Sequence, residues 1–168
     1  MKKITLFLAV AMVMVLTACG DKKETEKAAD VDITNSVMTQ YENDNLSCSY
    51  PDFLTEKQEL GDLLVESADK KIHLDMNVYP VEFKEGVLET LAKNYGKFME
   101  NEQFKPEQPQ IEDNILILKG VRKGKVKTNI TVISENGKSA SGYFIYPKSK
   151  AAICDSLAKE IAKSIVLK

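Results

Sequence analysis

The chain has 168 residues, of which 43% are apolar and 29% charged, with 8 Gly and 5 Pro. This composition excludes collagen-like, wholly disordered and multi-span membrane chains, and the length fits one domain able to bury its own core. A formal net charge of −2 gives no basic footprint able to release counterions from a phosphate backbone, so nucleic acid is not an expected partner.

Lys2 and Lys3 precede an apolar run from Ile4 to Leu16, broken only by Thr5, and the segment closes in Leu16, Thr17, Ala18 and Cys19. Charge, apolar stretch and small residues in that order are the layout of a secretory signal peptide over residues 1–18. As a helix the run would extend roughly 20 Å, short of the ~30 Å hydrocarbon core, so it does not read as a permanent span. Leu16-Thr17-Ala18-Cys19 resembles the bacterial lipobox. That resemblance implies cleavage before Cys19 and attachment of palmitate-class acyl chains to its thiol, where two or three chains anchor stably and one is marginal. An ordinary secreted protein is the alternative. Gly20, rather than Asp, after the lipidated cysteine favours the outer membrane if the cell is Gram-negative. Loss of Lys2 and Lys3 leaves 21 basic and 25 acidic residues, a net charge of −4. Residues 19–35 begin GDKKETEKAADVD after the cysteine and hold few large apolar side chains, which predicts a flexible tether ahead of a single domain over 36–168.

Val37–Tyr41 and Leu46–Tyr50 are β-prone runs around Glu42-Asn43-Asp44-Asn45, which predicts an opening hairpin. Leu46, Cys48 and Tyr50 share one face, and Pro51 stops the strand. Leu54–Leu60 and Leu63–Ser67 are further strand candidates about Gly61-Asp62, and Ile72, Leu74, Met76 and Val78 alternate with His73, Asp75, Asn77 and Tyr79 as a half-buried strand should. From Glu85 to Met99, Val87, Leu88, Leu91, Ala92, Tyr95 and Phe98 recur at helical spacing opposite Glu89, Lys93 and Lys97. Pro106 and Pro109 mark a loop. Ile115–Leu118, Val126–Ile133 and Ala140–Tyr146 then read as strands punctuated by Gly120, Gly124 and the hairpin signal Asn136-Gly137. Ile153, Leu157, Ile161 and Ile165 form the stripe of a final helix over about 150–163.

Amphipathic helices of this length do not stand alone, and hairpin-linked strands need a covered face. The expected fold class is α+β, a largely antiparallel sheet covered by two amphipathic helices. Leu46-Ser47-Cys48-Ser49-Tyr50-Pro51-Asp52-Phe53, an early strand closing in Tyr-Pro, and a terminal helix running into Ser164-Ile165-Val166-Leu167 resemble the PsbP-like and Mog-like α/β/α sandwich family over roughly residues 41–168. That family includes photosystem extrinsic subunits, a Ran-binding protein and bacterial lipoproteins, and the resemblance implies a binding or assembly role. It transfers no catalytic residue.

Candidate chemistry is sparse. Cys48 and Cys154 lie on predicted core-facing positions of an exported domain, where a disulfide could form. Closing that loop would contribute about 4–5 kcal/mol in the chain-entropy account; two separately buried thiols are the alternative. His73, the single histidine, shares a strand face with Asp75, as an oriented general base would. Ser47, Ser49, Ser139 and Ser141 are conceivable nucleophiles, but none lies in a G-x-S-x-G elbow. Neither HExxH, an EF-hand loop, CxxC nor a Gly-rich phosphate loop occurs, so no metal, cofactor or catalytic residue is expected. Lys119, Arg122, Lys123, Lys125 and Lys127 crowd one hairpin of an acidic protein and form the candidate binding patch, able to meet anionic headgroups, a glycan or an acidic protein. The alternative is a solvated hairpin whose lysines guard a sheet edge. The expected function is a lipid-anchored cell-envelope module, outside the cytoplasm and non-enzymatic, that binds another envelope protein. Two other functions are a small hydrolase using His73 and Asp75, and a carrier of a small apolar ligand in an enclosed pocket of several hundred cubic ångströms.

Overall fold

The structure is a computed structural model describing residues 31–57, 61–82 and 84–168. The signal peptide, the lipid-attachment residue Cys19 and the tether as far as residue 30 lie outside the described residues. Strands β1 (Met38–Glu42) and β2 (Leu46–Pro51) form the expected hairpin. The Asn43 side-chain oxygen accepts from the backbone N–H groups of Asn45 and Leu46, both at 2.8 Å, which closes the turn as Asn side chains do. The chain continues through β3 (Leu54–Glu56), β4 (Leu63–Ser67), β5 (His73–Pro80) and helix α1 (Val87–Asn101). After α1 come β6 (Lys105–Pro106), β7 (Gln110–Glu112), β8 (Ile115–Arg122), β9 (Lys125–Ile133) and β10 (Lys138–Pro147). A short 3-10 turn (Lys148–Lys150) leads into α2 (Ala151–Ser164), and β11 (Val166–Leu167) ends the chain.

A large antiparallel sheet runs β3-β4-β5-β10-β9-β8-β6, with β7 also paired to β8, and a small sheet runs β1-β2-β11. Strand alternation gives the large sheet two unlike faces. On one, Leu74, Met76, Ile130 and Phe144 meet Leu157, Ala158 and Ile161 of α2 and Leu46 and Tyr50 of β2, in the main core. On the other, Leu116, Leu118 and Ile133 meet Leu88, Ala92 and Met99 of α1 in a second core. The α+β class and the two covering helices are as the sequence pattern requires.

The three Tyr-Pro pairs act as strand terminators: β2, β5 and β10 end at Pro51, Pro80 and Pro147. Proline at a strand's last position loses no interior ladder bond. Elsewhere the structure departs from the sequence pattern. The segment around Pro106 and Pro109, read as loop, supplies β6 and β7, and the tail after α2 supplies β11; strands of two or three residues are too short to carry a period. The candidate strand 54–60 is extended only over Leu54–Glu56 among its described residues. Ile33, assigned to the tether, is 1% exposed and belongs to the main core, because one apolar side chain among acidic neighbours can be buried without any local pattern to announce it.

Two glycines are set by close approach. Gly120, read as punctuation between strands, lies inside β8, where an added Cβ would sit 2.7 Å from Met99 Sδ and 3.1 Å from Phe104 Cβ. At Gly142 a Cβ would lie 1.8 Å from the Asp75 carbonyl oxygen, which is main chain of the neighbouring strand and cannot move aside. Gly142→Ala is therefore expected to lower the unfolding free energy by about 3 kcal/mol, read as a shifted urea midpoint at unchanged slope.

Cys48 and Cys154 are both buried in the main core as free thiols. Of the two alternatives left open by the sequence, the structure therefore contains separate thiols rather than a bridge. Burial pushes each thiol up to about 12, so the reactive thiolate is scarce at neutral pH. Native protein should leave both unlabelled by a thiol reagent, and denaturant without reductant should release both; labelling that also required reductant would establish a disulfide.

Candidate functional site

α1 packs on β8 and β6 and reaches β10 through Tyr95, and among the described residues no helix covers the same face of β4 and β5, whose Leu64, Glu66, His73, Asp75 and Asn77 are half-buried. The docking of α1 rests on a polar network as well as on the second core. Asn129 Nδ2 donates to the Gly142 carbonyl at 3.0 Å, Thr131 Oγ1 donates to Asn129 Oδ1 at 3.0 Å, and Ser141 Oγ bonds Thr131 Oγ1 and Tyr95 OH, each at 2.8 Å. Asn129, Thr131 and Ser141 are buried, and among the described residues no buried side-chain polar atom lacks a partner.

The helix stops in a Schellman turn. Gln103 adopts φ 65°, its N–H donates to the Glu100 carbonyl at 2.9 Å, and the Phe104 N–H donates to the Met99 carbonyl at 2.9 Å. Phe104 thereby folds back onto Met99. Around this end lies an open cleft of about 520 Å³, lined by His73, Glu102, Phe104, Arg122, Lys125 and Lys127, with Asn101, Gln103 and Ile145. A second depression of about 280 Å³, lined by Lys57, Leu64, Glu66, Lys70 and His73, continues across β4 and β5. His73 lines both, so together they make one groove on the uncovered face.

The predicted basic patch is divided by strand alternation. Lys119 points to the α2 side, where its Nζ lies 3.0 Å from both Glu107 and Asp155. Lys127 faces α1 and is only 6% exposed; its Nζ is ion-paired with Glu102 at 2.5 Å and sits 4.0 Å over the Tyr143 ring and 5.0 Å over Phe98. Arg122 lies 4.7 Å over the Phe104 ring and donates from Nη1 to the Glu102 carbonyl at 3.2 Å. Lys123 and Lys125 remain exposed. On the same face Phe98 is exposed and stacked on Tyr143, and Tyr79, at the other end of β5 from His73, is 51% exposed. Burial pushes the Tyr143 hydroxyl up, so it stays protonated. Glu102, Phe98, Phe104 and Tyr143 carry no motif in the sequence. The helical and strand periods place them on the right faces, but only the helix end brings them to Lys127.

His73 and Asp75 share the groove face without forming a dyad: the Asp75 carboxylate accepts from Asn77 Nδ2 at 3.0 Å. Ser141 is held in the network under α1, Ser139 reaches the Tyr79 carbonyl, and Ser49 accepts from Gln40 on the small sheet. No described serine is set beside His73 as a nucleophile. Against the carrier alternative, the cavities between the sheet and α2 measure about 140 and 110 Å³, below the ~300 Å³ at which ligand pockets begin. Among the described residues no cluster of His, Cys, Asp and Glu is grouped to hold a metal ion.

Two solved structures share this fold. The chain matches cyanobacterial PsbP (CyanoP) from Synechocystis sp. PCC 6803 with a TM-score of 0.57 at 9% identity, over 84% of this chain and 99% of that one. It also matches the Ran-binding protein Mog1p of Saccharomyces cerevisiae with a TM-score of 0.57 at 9% identity, over 79% of this chain and 95% of that one. No family model and no curated protein sequence matches the chain. The fold is thus the PsbP/Mog-like fold expected from the sequence.

His73 is half-buried, and its burial lowers the imidazole below its usual range, against the opposing pull of Glu66 and Asp75. A base whose folded value is depressed stays neutral longer in the native state, so its contribution to stability is complete above about pH 6.5, the unfolded value, and is lost as pH falls toward the folded one. As the single histidine it should give one imidazole NMR titration with a midpoint below about 6.5, returning to that value in denaturant.

Proposed function

We propose that this protein is a bacterial cell-envelope lipoprotein, anchored through acylated Cys19, whose folded domain is a non-enzymatic module binding another envelope protein. The observation that carries the binding role is the half-covered sheet. Among the described residues no helix covers β4 and β5 on the α1 side, Arg122 and Lys125 line the cleft at the helix end, and the aromatic side chains Phe98 and Tyr79 are exposed on the same face of the sheet. Aromatic and arginine side chains are enriched in protein interfaces, and a mixed groove of this kind suits a polypeptide better than a small apolar ligand. The fold supports the reading, since one structure that shares it is a Ran-binding protein; fold alone assigns no partner. The leader and the Leu16-Thr17-Ala18-Cys19 sequence support the anchor.

Two measurements in intact cells test this. Cys19→Ser should abolish the acyl mass and move the protein out of the membrane fraction. A photo-crosslinking amino acid at position 79 or 98 should give a discrete protein adduct, whereas one at Lys159, exposed on α2, should not. Unchanged fractionation of Cys19→Ser would remove the anchor, and equal or absent adducts at all three positions would remove the binding face.

A further inference from the structure

The large sheet carries its charges at opposite ends. The β4–β5 and β8–β9 turns, the start of β6 and the 3-10 turn before α2 lie at one end, because Ile145 pairs with both His73 and Lys127, Lys105 pairs with Val121, and the Lys148 N–H donates to the Gly124 carbonyl at 3.0 Å. Exposed there are Lys70, Lys105, Arg122, Lys123, Lys125 and Lys148. Several carboxylates nearby are engaged: Asp69 with Ser67 and Lys71, Glu102 with Lys127, Glu66 with Lys57 at 4.0 Å, and Asp32 with the Thr34 N–H; Glu100, in the last turn of α1, is exposed. At the other end, around the β1–β2, β7–β8 and β9–β10 turns and the entry to α1, stand exposed Glu42, Asp44, Glu82, Glu85, Glu112 and Glu135, of which Glu42 is paired with Lys168 and Glu82 with Lys84.

The chain arrives from Cys19 at the basic end. The Val31 carbonyl accepts from Lys150 Nζ at 3.2 Å, and Lys150 closes the same 3-10 turn whose Lys148 bonds the β8–β9 turn. Fully extended, the chain from Cys19 to Val31 spans at most about 40 Å. An acidic protein that places six exposed cations around the point where its anchor enters has the charge arrangement of a surface that meets anionic headgroups.

We propose that this basic end docks on an anionic phospholipid bilayer, so that the anchored domain stands with its β8–β9 turn toward the lipid and its acidic end away. The inference rests on acylation of Cys19. It leaves Tyr79, at the far end of β5, open to a partner.

The lipidated protein, reconstituted in phosphatidylcholine vesicles with or without phosphatidylglycerol and carrying an acceptor dye on the lipid, tests this by energy transfer. One donor is placed at Lys123→Cys or at Glu135→Cys, the native Cys48 and Cys154 being buried. On anionic vesicles position 123 should transfer more strongly than position 135. The difference should be lost on neutral vesicles, in high salt, where screening shortens to a few ångströms, and in Lys105→Gln/Lys148→Gln. Lys93→Gln/Lys97→Gln on α1 should keep it. Equal transfer from both positions on anionic vesicles, or a difference indifferent to lipid charge, overturns the docking. A chain that fails to float with vesicles overturns the anchor on which it rests, a separate result.

Discussion

Tyr95, Ser141, Thr131 and Asn129 form a closed chain of hydrogen bonds between α1 and the strands beneath it. Apolar contacts alone would let a helix slide along a sheet at modest cost, but a displaced α1 would take the Tyr95 hydroxyl away from Ser141, the one bond of the network that the helix itself makes. Leaving such a bond unmade costs about 1–3 kcal/mol, which holds the helix in register on the sheet. The open face of β4 and β5, the cleft at the helix end and the position of Glu102 beside Lys127 all follow from that placement.

Strand alternation decides what the lysine-rich hairpin can do. Residues two apart share a face and neighbours do not, so Lys119 is drawn into ion pairs with Glu107 and Asp155 while Lys127 is drawn under the end of α1. A sequence count treats these five cations as one patch. In the folded protein two of them hold the domain together, Arg122 is laid over Phe104, and only Lys123 and Lys125 face solvent without a partner in the fold. The charge available for recognition instead comes from several turns, brought to one end by antiparallel pairing.

Legibility tracks the range of the forces involved. The alternation of Leu74 and Met76 with His73 and Asp75, the stripe from Val87 to Met99, and the stop at Pro51 are local, and each reappears in the structure at nearly the expected residues. The end of α1 is less visible because Gln103, rather than glycine, takes the left-handed position. β6, β7 and β11 exist only because an edge strand is there to pair with them, and Gly120 is required by Met99 and Phe104 across an interface rather than by a turn.

By itself the sequence determined the α+β class, the order of the main elements and which side chains of each strand share a face, since all of these depend on residues within a few positions of one another. Tertiary structure alone decided that α1 covers half a sheet, that Lys127 is buried on aromatic rings while Lys123 is free, and that the chain enters at the basic end. Those outcomes are set by contacts between residues distant in sequence, where the energy of a pair exists only once the backbone has brought both partners together.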